Sequence, residues 1–192
     1  HTAYRRQRQM CIRDSNYNNW ELRFDGIWAK YDKSNSEDAI TNVQYLFGND
    51  IIEPRADWTL VNGNINSNAK ITVHRGPLNE KGDILKKVPI LLQQNDEFKI
   101  LQVSDLHFNS DFGTCKDQVN EEHGCKADAK TLSFLHQVLD LESPDLVVLT
   151  GDIIDGFNTM DYQTAILKAL SPFISRSIPF AIALGENDKN QY

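Results

Sequence analysis

From residue 98 onward the chain alternates short apolar runs with longer amphipathic stretches. Residues 99–103, 145–150 and 179–184 are rich in aliphatic residues and are predicted to form strands. The second run contains Leu-Val-Val-Leu, and consecutive apolar positions of this kind indicate a strand buried on both faces. Strands of this type separated by helices are typical of an α/β fold with a parallel sheet.

Two helices are predicted between these strands, because apolar residues recur at intervals of three and four. Asn158 or Thr159 is a candidate N-cap for the second helix, and Asp161 lies near its positive end. The apolar stripes are Leu132, Leu135, Val138 and Leu139 in the first helix, and Tyr162, Ala165, Ile166, Ala169, Leu170 and Phe173 in the second.

Residues 16–95 have a different pattern, in which short apolar or aromatic runs are separated by breaks rich in Asn, Asp and Gly. This pattern predicts a β-rich N-terminal accessory region. Asn62-Gly63 is a candidate hairpin turn within it. Polar residues around Asn95 mark the predicted boundary with residues 96–192, which we interpret as the catalytic core.

Residues 1–15 read HTAYRRQRQMCIRDS and contain four arginines but no apolar stretch of the kind found in signal peptides. Residues 10–15, MCIRDS, match the translation of the transposon-end adapter used in short-read sequencing libraries. Residues 5–9 resemble the adapter segment that precedes it. We therefore interpret residues 1–15 as a translated sequencing adapter, and expect the natural sequence to start after them.

Composition and charge narrow the range of functions. The 192 residues include 20 Lys and Arg against 27 Asp and Glu, giving a net charge of −7, so a broad nucleic-acid-binding surface is not expected. No run of about 18 apolar residues occurs, so no membrane span is predicted. Cys115 and Cys125 leave open a loop disulfide, two free thiols or, with His123, part of a zinc site. Cellular location and oligomeric state stay open.

Potential metal ligands follow each of the three predicted strands. Asp105 and His107 follow the first strand, Asp152 follows the second, and Gly-Glu-Asn-Asp at 185–188 follows the third. Because parallel strands bring their carboxyl ends to one edge of the sheet, these side chains are expected to lie close together. Asp105 and His107 alternate about Leu106, so both can point the same way at an extended strand end. Carboxylate and imidazole groups are ligands of divalent metal ions.

Three segments carry a family resemblance. KILQVSDLHF, PDLVVLTGDIIDG and PFAIALGEND resemble the motifs D-x-H, G-D-x-x-D/N and G-N-H-D/E of the calcineurin-like metallophosphoesterases. Residues 112–117, 125–128 and 163–166 resemble a fungal branch that includes a cell-cycle-regulating phosphatase of a stress-sensing kinase. This branch is related to the group of non-purple acid phosphatase-like proteins. The resemblance implies a metallophosphoesterase-type β-sheet core with flanking helices, preceded by the β-rich region.

The resemblance also implies a centre of two divalent or mixed-valence metal ions, which are Mn, Fe or Zn in this family. Asp105 and His107 are then ligands of the first ion and Asp152 bridges both, while Glu186 takes the position of an Asn that binds the second. A hydroxide activated by the two metals would hydrolyse phosphate monoesters, with protein phosphoserine or phosphothreonine as the expected substrate.

Asn187 departs from the family pattern, because it occupies the position of the His that protonates the leaving group. An amide cannot act as a general acid at neutral pH, so no general acid is assigned. The chain also ends at Tyr192, before two downstream His-bearing motifs of the family. We therefore expect residues 96–192 to be the N-terminal part of the domain, with little or no activity. The alternative interpretation is a catalytically impaired pseudophosphatase or a regulatory binding module.

Overall fold

The computed structural model contains three small sheets and two helices. It describes residues 2–5, 20–22, 27–30, 38–61, 68–76, 97–116 and 124–189. In chain order the elements are β1 (Thr2–Arg5), β2 (Trp20–Leu22), β3 (Ile27–Lys30), β4 (Ile40–Phe47), β5 (Trp58–Leu60), β6 (Ala69–Arg75), β7 (Ile100–Val103), α1 (Ala127–Glu142), β8 (Leu146–Thr150), α2 (Tyr162–Ser175) and β9 (Phe180–Ala183).

The second half of the chain is the predicted α/β unit. Strands β7, β8 and β9 form a parallel sheet in that order, with Leu101 opposite Val147 and Leu149 opposite Ile182. Helix α1 connects β7 to β8, and α2 connects β8 to β9. The prediction of three parallel strands joined by helices is therefore confirmed.

Both helices pack against the same face of this sheet. Val147 and Leu149 are fully buried there, in a cluster that also contains Leu135 and Leu139 of α1 and most of the predicted stripe of α2. Leu146 and Val148 point to the opposite face and are only half-buried. The expectation that β8 is buried on both faces is therefore wrong for the described residues, because the two helices cover one face.

The described residues before residue 77 form the β-rich region that the sequence predicts, and their strands pair antiparallel. Strands β4 and β5 pair on either side of β6, and β1 and β2 pair on either side of β3. Strand β1 comes from the segment interpreted as a translated adapter, and that origin stays a prediction. The Asn62-Gly63 turn and the boundary near Asn95 lie outside the described residues.

Helix α2 is buried on two faces rather than one. One face contains the predicted apolar stripe, and the other contains Thr164, Leu167 and Lys168, which are also buried. The second face packs on the β4–β6 sheet, since Leu167 forms a buried cluster with Leu46 and Ile51. We call the sheet of β4, β5 and β6 the N-terminal sheet. It and the α/β unit both pack on α2.

The N-cap of α2 is Asp161, which corrects the expectation of Asn158 or Thr159. The Asp161 carboxylate accepts hydrogen bonds from the backbone N–H groups of Gln163 and Thr164, both at 3.3 Å. Asn158 instead donates to Asp155, while the Thr159 hydroxyl accepts from the backbone of Ser110. No helix in the described part of the chain is long and apolar enough to cross a membrane.

Candidate metal centre

Three loops meet beyond the carboxyl edge of the parallel sheet. The loops after β7 and β8 are joined by backbone hydrogen bonds from Asp105 N to Gly151 O (3.1 Å) and from His107 N to Asp152 O (3.0 Å). A further bond of 2.9 Å joins Phe108 N to Ile153 O. The parallel pairing thus continues past the strands, and it fixes the spacing of the residues that carry candidate ligands.

Asp105, His107 and Asp152 form a group that could hold a metal ion. One potential ligand atom from each lies within 4.8 Å of the others, and His107 Nε2 is 3.9 Å from Asp105 Oδ1. The side chains of Asp105 and His107 are 67% and 44% exposed, so the group is open to solvent and to a ligand of considerable size. The site brings together three of the four ligands expected from the sequence.

These three residues have left-handed backbones, with φ of 57° at Asp105, 48° at His107 and 50° at Asp152. Asp and His are among the residues that tolerate this region best, and such conformations concentrate at functional sites. Asp105 and His107 do not continue the extended strand, because β7 ends at Val103, so the expectation that alternation along a strand points both side chains the same way is wrong. Two left-handed residues on either side of Leu106 direct both side chains outward, while Leu106 packs on the core.

The loop after β9 fixes the carboxylate of Asp152. Asn187 donates its backbone N–H to Asp152 Oδ1 at 3.0 Å and its side-chain Nδ2–H to Oδ2 at 2.7 Å. These two bonds, the backbone one first, lower the pKa of Asp152 below its usual value, and the nearby His107 acts in the same direction. Asp152 is therefore held as an anion in a defined orientation, as a metal ligand requires.

Asp188 organises the same loop, although its sequence pattern alone predicts no role for it. Its carboxylate accepts from the backbone N–H groups of Ile153 (2.8 Å), Ile154 (3.0 Å) and Gly185 (2.7 Å). One side chain thus joins the loops after β8 and β9. The available signal was its position as the last residue of the Gly-Glu-Asn-Asp segment, where an acidic residue is typical of the family motif.

Gly185 makes this close approach possible. A Cβ atom at Gly185 would collide with the carboxylate and the backbone nitrogen of Asp152. Gly151 has a φ of 101°, in the region that favours glycine. This backbone conformation lets the chain turn directly before Asp152.

Glu186 lies beside the site, and its side chain is exposed. It is not part of the group formed by Asp105, His107 and Asp152, and its assignment to a second metal ion stays a prediction. Asn187, placed by the resemblance at the general-acid position, contacts Asp152 instead of projecting freely.

Cys115 and Cys125 form a disulfide. This decides among the alternatives that the sequence left open, because thiols joined in a disulfide cannot bind zinc as thiolates. His123, the third residue of the zinc alternative, lies outside the described residues.

Comparison with known protein families shows which family has this fold and this site. The family described as calcineurin-like phosphoesterase matches residues 98–192. This part of the chain belongs to the calcineurin-like phosphoesterases. The match begins just before β7 and includes all three loops of the site.

Curated relatives extend the similarity into the N-terminal region. The chain is 39% identical over 161 residues to Phosphatase DCR2 of Saccharomyces cerevisiae, covering 78% of this chain and 27% of that protein. It is 34% identical over 179 residues to Protein SIA1 of Kluyveromyces lactis, covering 87% of this chain and 31% of that protein. These similarities support the assignment of the chain to the fungal branch of the family.

A plant relative carries a different kind of name. The chain is 38% identical over 102 residues to a protein of Arabidopsis thaliana named "Probable inactive purple acid phosphatase 28", covering 53% of this chain and 26% of that protein. Across these three relatives, the chain spans between about a quarter and a third of their length.

The side chains at the site fit the metal ions that the family implies. Two carboxylates and one imidazole form a mixed oxygen and nitrogen donor set, which suits Mn, Fe and Zn alike. The Asp152 carboxylate has two oxygens, so it can contact two ions. The donor set supports metal binding and does not select the metal.

Proposed function

We propose that this chain carries the metal centre of a phosphate-monoester hydrolase. Asp105 and His107 would hold one ion, Asp152 would contact two, and Glu186 would contribute to the second. The observation that supports this proposal is the convergence of three potential ligand atoms within 4.8 Å at the edge of the parallel sheet. When bound, such ions supply Lewis acidity toward phosphate and a source of hydroxide at neutral pH.

The protein's own part in this function is to orient the ligands. Asn187 holds both oxygens of Asp152, and Asp188 holds the loops after β8 and β9 against each other. Hydrogen-bonding partners of this kind orient metal ligands from the protein side. Phosphoserine or phosphothreonine of proteins is the proposed substrate, and the open position of Asp105 and His107 suits a phosphate carried on a large molecule.

A second candidate function is a binding module that holds metal and phosphate without turning the substrate over. Asn187 favours this candidate, because its amide is engaged with Asp152 and has no proton to give to a leaving group. The plant relative whose name includes the word "inactive" is compatible with it. The two candidates share the metal centre and differ in the general acid.

One experiment tests the metal centre and separates the candidates. The purified chain, Asp152→Asn and the double variant Glu186→Asn/Asn187→His are titrated with Mn²⁺ and then assayed with a phosphoserine peptide, because its alkoxide leaving group needs a proton from a general acid. We expect the parent chain to bind Mn²⁺, Asp152→Asn to bind at least tenfold more weakly, and the parent turnover to be low. The double variant, which restores the family motif, is expected to raise turnover about 100-fold, a typical contribution of general acid catalysis.

Each outcome has a definite meaning. A parent chain that does not bind Mn²⁺ would refute the proposed metal centre. A double variant that binds Mn²⁺ but hydrolyses no more substrate than the parent would refute the hydrolase proposal for this chain and favour the binding module.

A further inference from the structure

Lys168 is a charged residue in the interior of the molecule. It lies on the second buried face of α2, and its side chain is 0% exposed. Its ammonium group donates to Asp50 Oδ1 at 2.6 Å, Asp128 Oδ2 at 2.8 Å and the backbone carbonyl of Asp111 at 2.7 Å. These three bonds use all three donors of the ammonium group, so the charge is fully compensated although it is buried.

Lys168 and its partner Asp128 in α1 both bond to the loop that follows His107. Asp128, which is 2% exposed, also accepts a hydrogen bond from the backbone N–H of Asn109 at 3.0 Å. Its own backbone N–H donates to the carbonyl of Phe112 at 3.0 Å. Lys168 and Asp128 therefore hold the loop 109–112 at both ends, starting two residues after His107.

The N-terminal sheet contacts the same loop through the turn that follows β4. Asn49 donates its side-chain N–H to both carboxylate oxygens of Asp111, at 3.1 and 3.0 Å. At Gly48 a Cβ atom would collide with the carbonyl oxygen of Ser110. The turn also contacts Lys168 through Asp50. It therefore packs along one side of the loop that follows His107.

We propose that Lys168 is a positioning residue for the metal centre, and that through it the N-terminal sheet sets the position of His107. The inference rests on the proposed function, since it concerns the same ligands. It also assigns a role to the N-terminal region, namely the support of a loop that carries a metal ligand.

Stability alone is a weak explanation for this cluster. Replacing a buried ion pair by well-packed apolar residues is often neutral or stabilising, so a core does not need such a cluster in order to fold. A charged cluster does, however, require one defined arrangement of Asp50, Asp128 and the loop. Groups that hydrogen-bond directly to metal ligands commonly change metal affinity by 10- to 100-fold when they are altered. Lys168 acts one step further out, through the loop 109–112 that follows His107.

The test compares variants of the cluster with destabilised variants elsewhere in the full chain. Asp50→Ala removes the bond between the N-terminal turn and Lys168, and Lys168→Met removes the charge. Leu139→Ala is the matched control, because Leu139 is 2% exposed in the α1 core and is not one of the residues that form the Lys168 cluster. Mn²⁺ affinity is measured by calorimetry at a temperature at which circular dichroism shows every variant folded, and amide exchange of residues 109–112 is measured without metal.

We expect Asp50→Ala and Lys168→Met to weaken Mn²⁺ binding at least tenfold and to speed exchange at residues 109–112. Leu139→Ala should leave the affinity within twofold of the parent. If Lys168→Met does not fold, Asp50→Ala decides, because Asp50 is partly exposed and its loss leaves Lys168 bonded to Asp128.

Two results would overturn the inference. One is an unchanged Mn²⁺ affinity in a folded Asp50→Ala variant, and the other is an equal loss of affinity in Leu139→Ala. A parent chain without Mn²⁺ affinity would instead refute the proposed function. In that case the exchange measurement still tests whether Asp50 and Lys168 hold the loop, and unchanged exchange in Asp50→Ala would contradict it.

Discussion

Single residues at the site combine an unfavourable backbone with a favourable set of hydrogen bonds. Asp105, His107 and Asp152 adopt positive φ angles, which cost about 1–3 kcal/mol each at residues other than glycine. Backbone bonds between the loops after β7 and β8 hold these conformations, and Asn187 and Asp188 add bonds from the third loop. The ligand geometry is therefore a property of the three loops together.

The bonds from Asn187 predict the titration of Asp152. In Asn187→Ala the side-chain donor is lost and the backbone donor stays, so we expect the pKa of Asp152 to rise toward the ordinary value of about 3.9 without reaching it. NMR titration of the Asp carboxyl carbons in metal-free protein measures this change.

The sign of the linked stability follows from the direction of the shift. Because the pKa of folded Asp152 is lowered, ionised Asp152 stabilises the fold above the unfolded pKa, and this contribution is lost as the pH falls through the folded pKa. Asn158→Ala is the control, since Asn158 donates to Asp155 instead. An equal shift of the Asp152 pKa in both variants would contradict the assignment to Asn187.

Helix α2 has more roles than its apolar stripe indicates. Pro172 lies inside the helix and has no N–H that could donate to the carbonyl of Lys168. That carbonyl instead accepts a hydrogen bond from the hydroxyl of Ser171 at 2.7 Å. At the other end, Asp161 caps the helix and also accepts the backbone N–H of Phe47 at 3.3 Å. The helix is thus joined to the N-terminal sheet at its first turn.

Loss of the cap should lower the stability of the whole chain. We expect Asp161→Ala to cost about 1 kcal/mol, because two N–H groups of the first turn lose their acceptor. For a chain of this length that corresponds to a decrease of about 2–4 °C in Tm. Asp161→Asn, which keeps a capping oxygen, should retain most of the stability. Equal melting temperatures for the parent and Asp161→Ala would contradict the cap.

The Cys115–Cys125 disulfide closes a loop directly before α1. The two cysteines are 10 positions apart, and closing a loop of this length is expected to stabilise the protein by roughly 2–3 kcal/mol. We expect Cys115→Ser/Cys125→Ser to lower the midpoint of urea unfolding, and reduction of the parent to lower it similarly. Adding reductant to the double variant is the control, and a further decrease there would show that the effect does not come from this bond.

At the scale of the whole molecule, α2 joins the two halves of the chain. Leu46 of β4 and Leu167 of α2 share a buried cluster, and the Lys168 cluster lies one residue further along the helix. The N-terminal sheet therefore covers a helix face that would otherwise expose Leu167 and a buried charge. This contact links the stability of the sheet to that of the α/β unit.

Leu46→Ala tests this link. Leu46 is 0% exposed, so we expect a loss of about 2–5 kcal/mol, and we expect both halves to lose stability together. All three tryptophans precede residue 60 and both described helices follow residue 126, so fluorescence and helical circular dichroism report on different halves. Leu141→Ala, at a position that is 81% exposed, should change stability by no more than about 0.5 kcal/mol. A shift in the fluorescence transition alone would contradict the link.

The sequence by itself determined the elements of the α/β unit and the edge at which its site lies. Hydrophobic periodicity is a local property, and the rule that parallel strands end at one edge needs only the order of the elements. Asp105, His107 and Asp152 were predictable for this reason, and the family motifs identified them independently.

Only the tertiary structure decided how those residues are oriented and what supports them. The left-handed backbones, the bonds from Asn187 and Asp188, and the Lys168 cluster all join segments that are far apart in the chain. A buried lysine also looks in sequence like an exposed one, because its burial depends on Asp50 and Asp128 arriving from other elements. Contacts of this kind form only when the N-terminal sheet and the loops at the sheet edge pack around α2, so the local sequence pattern cannot predict them.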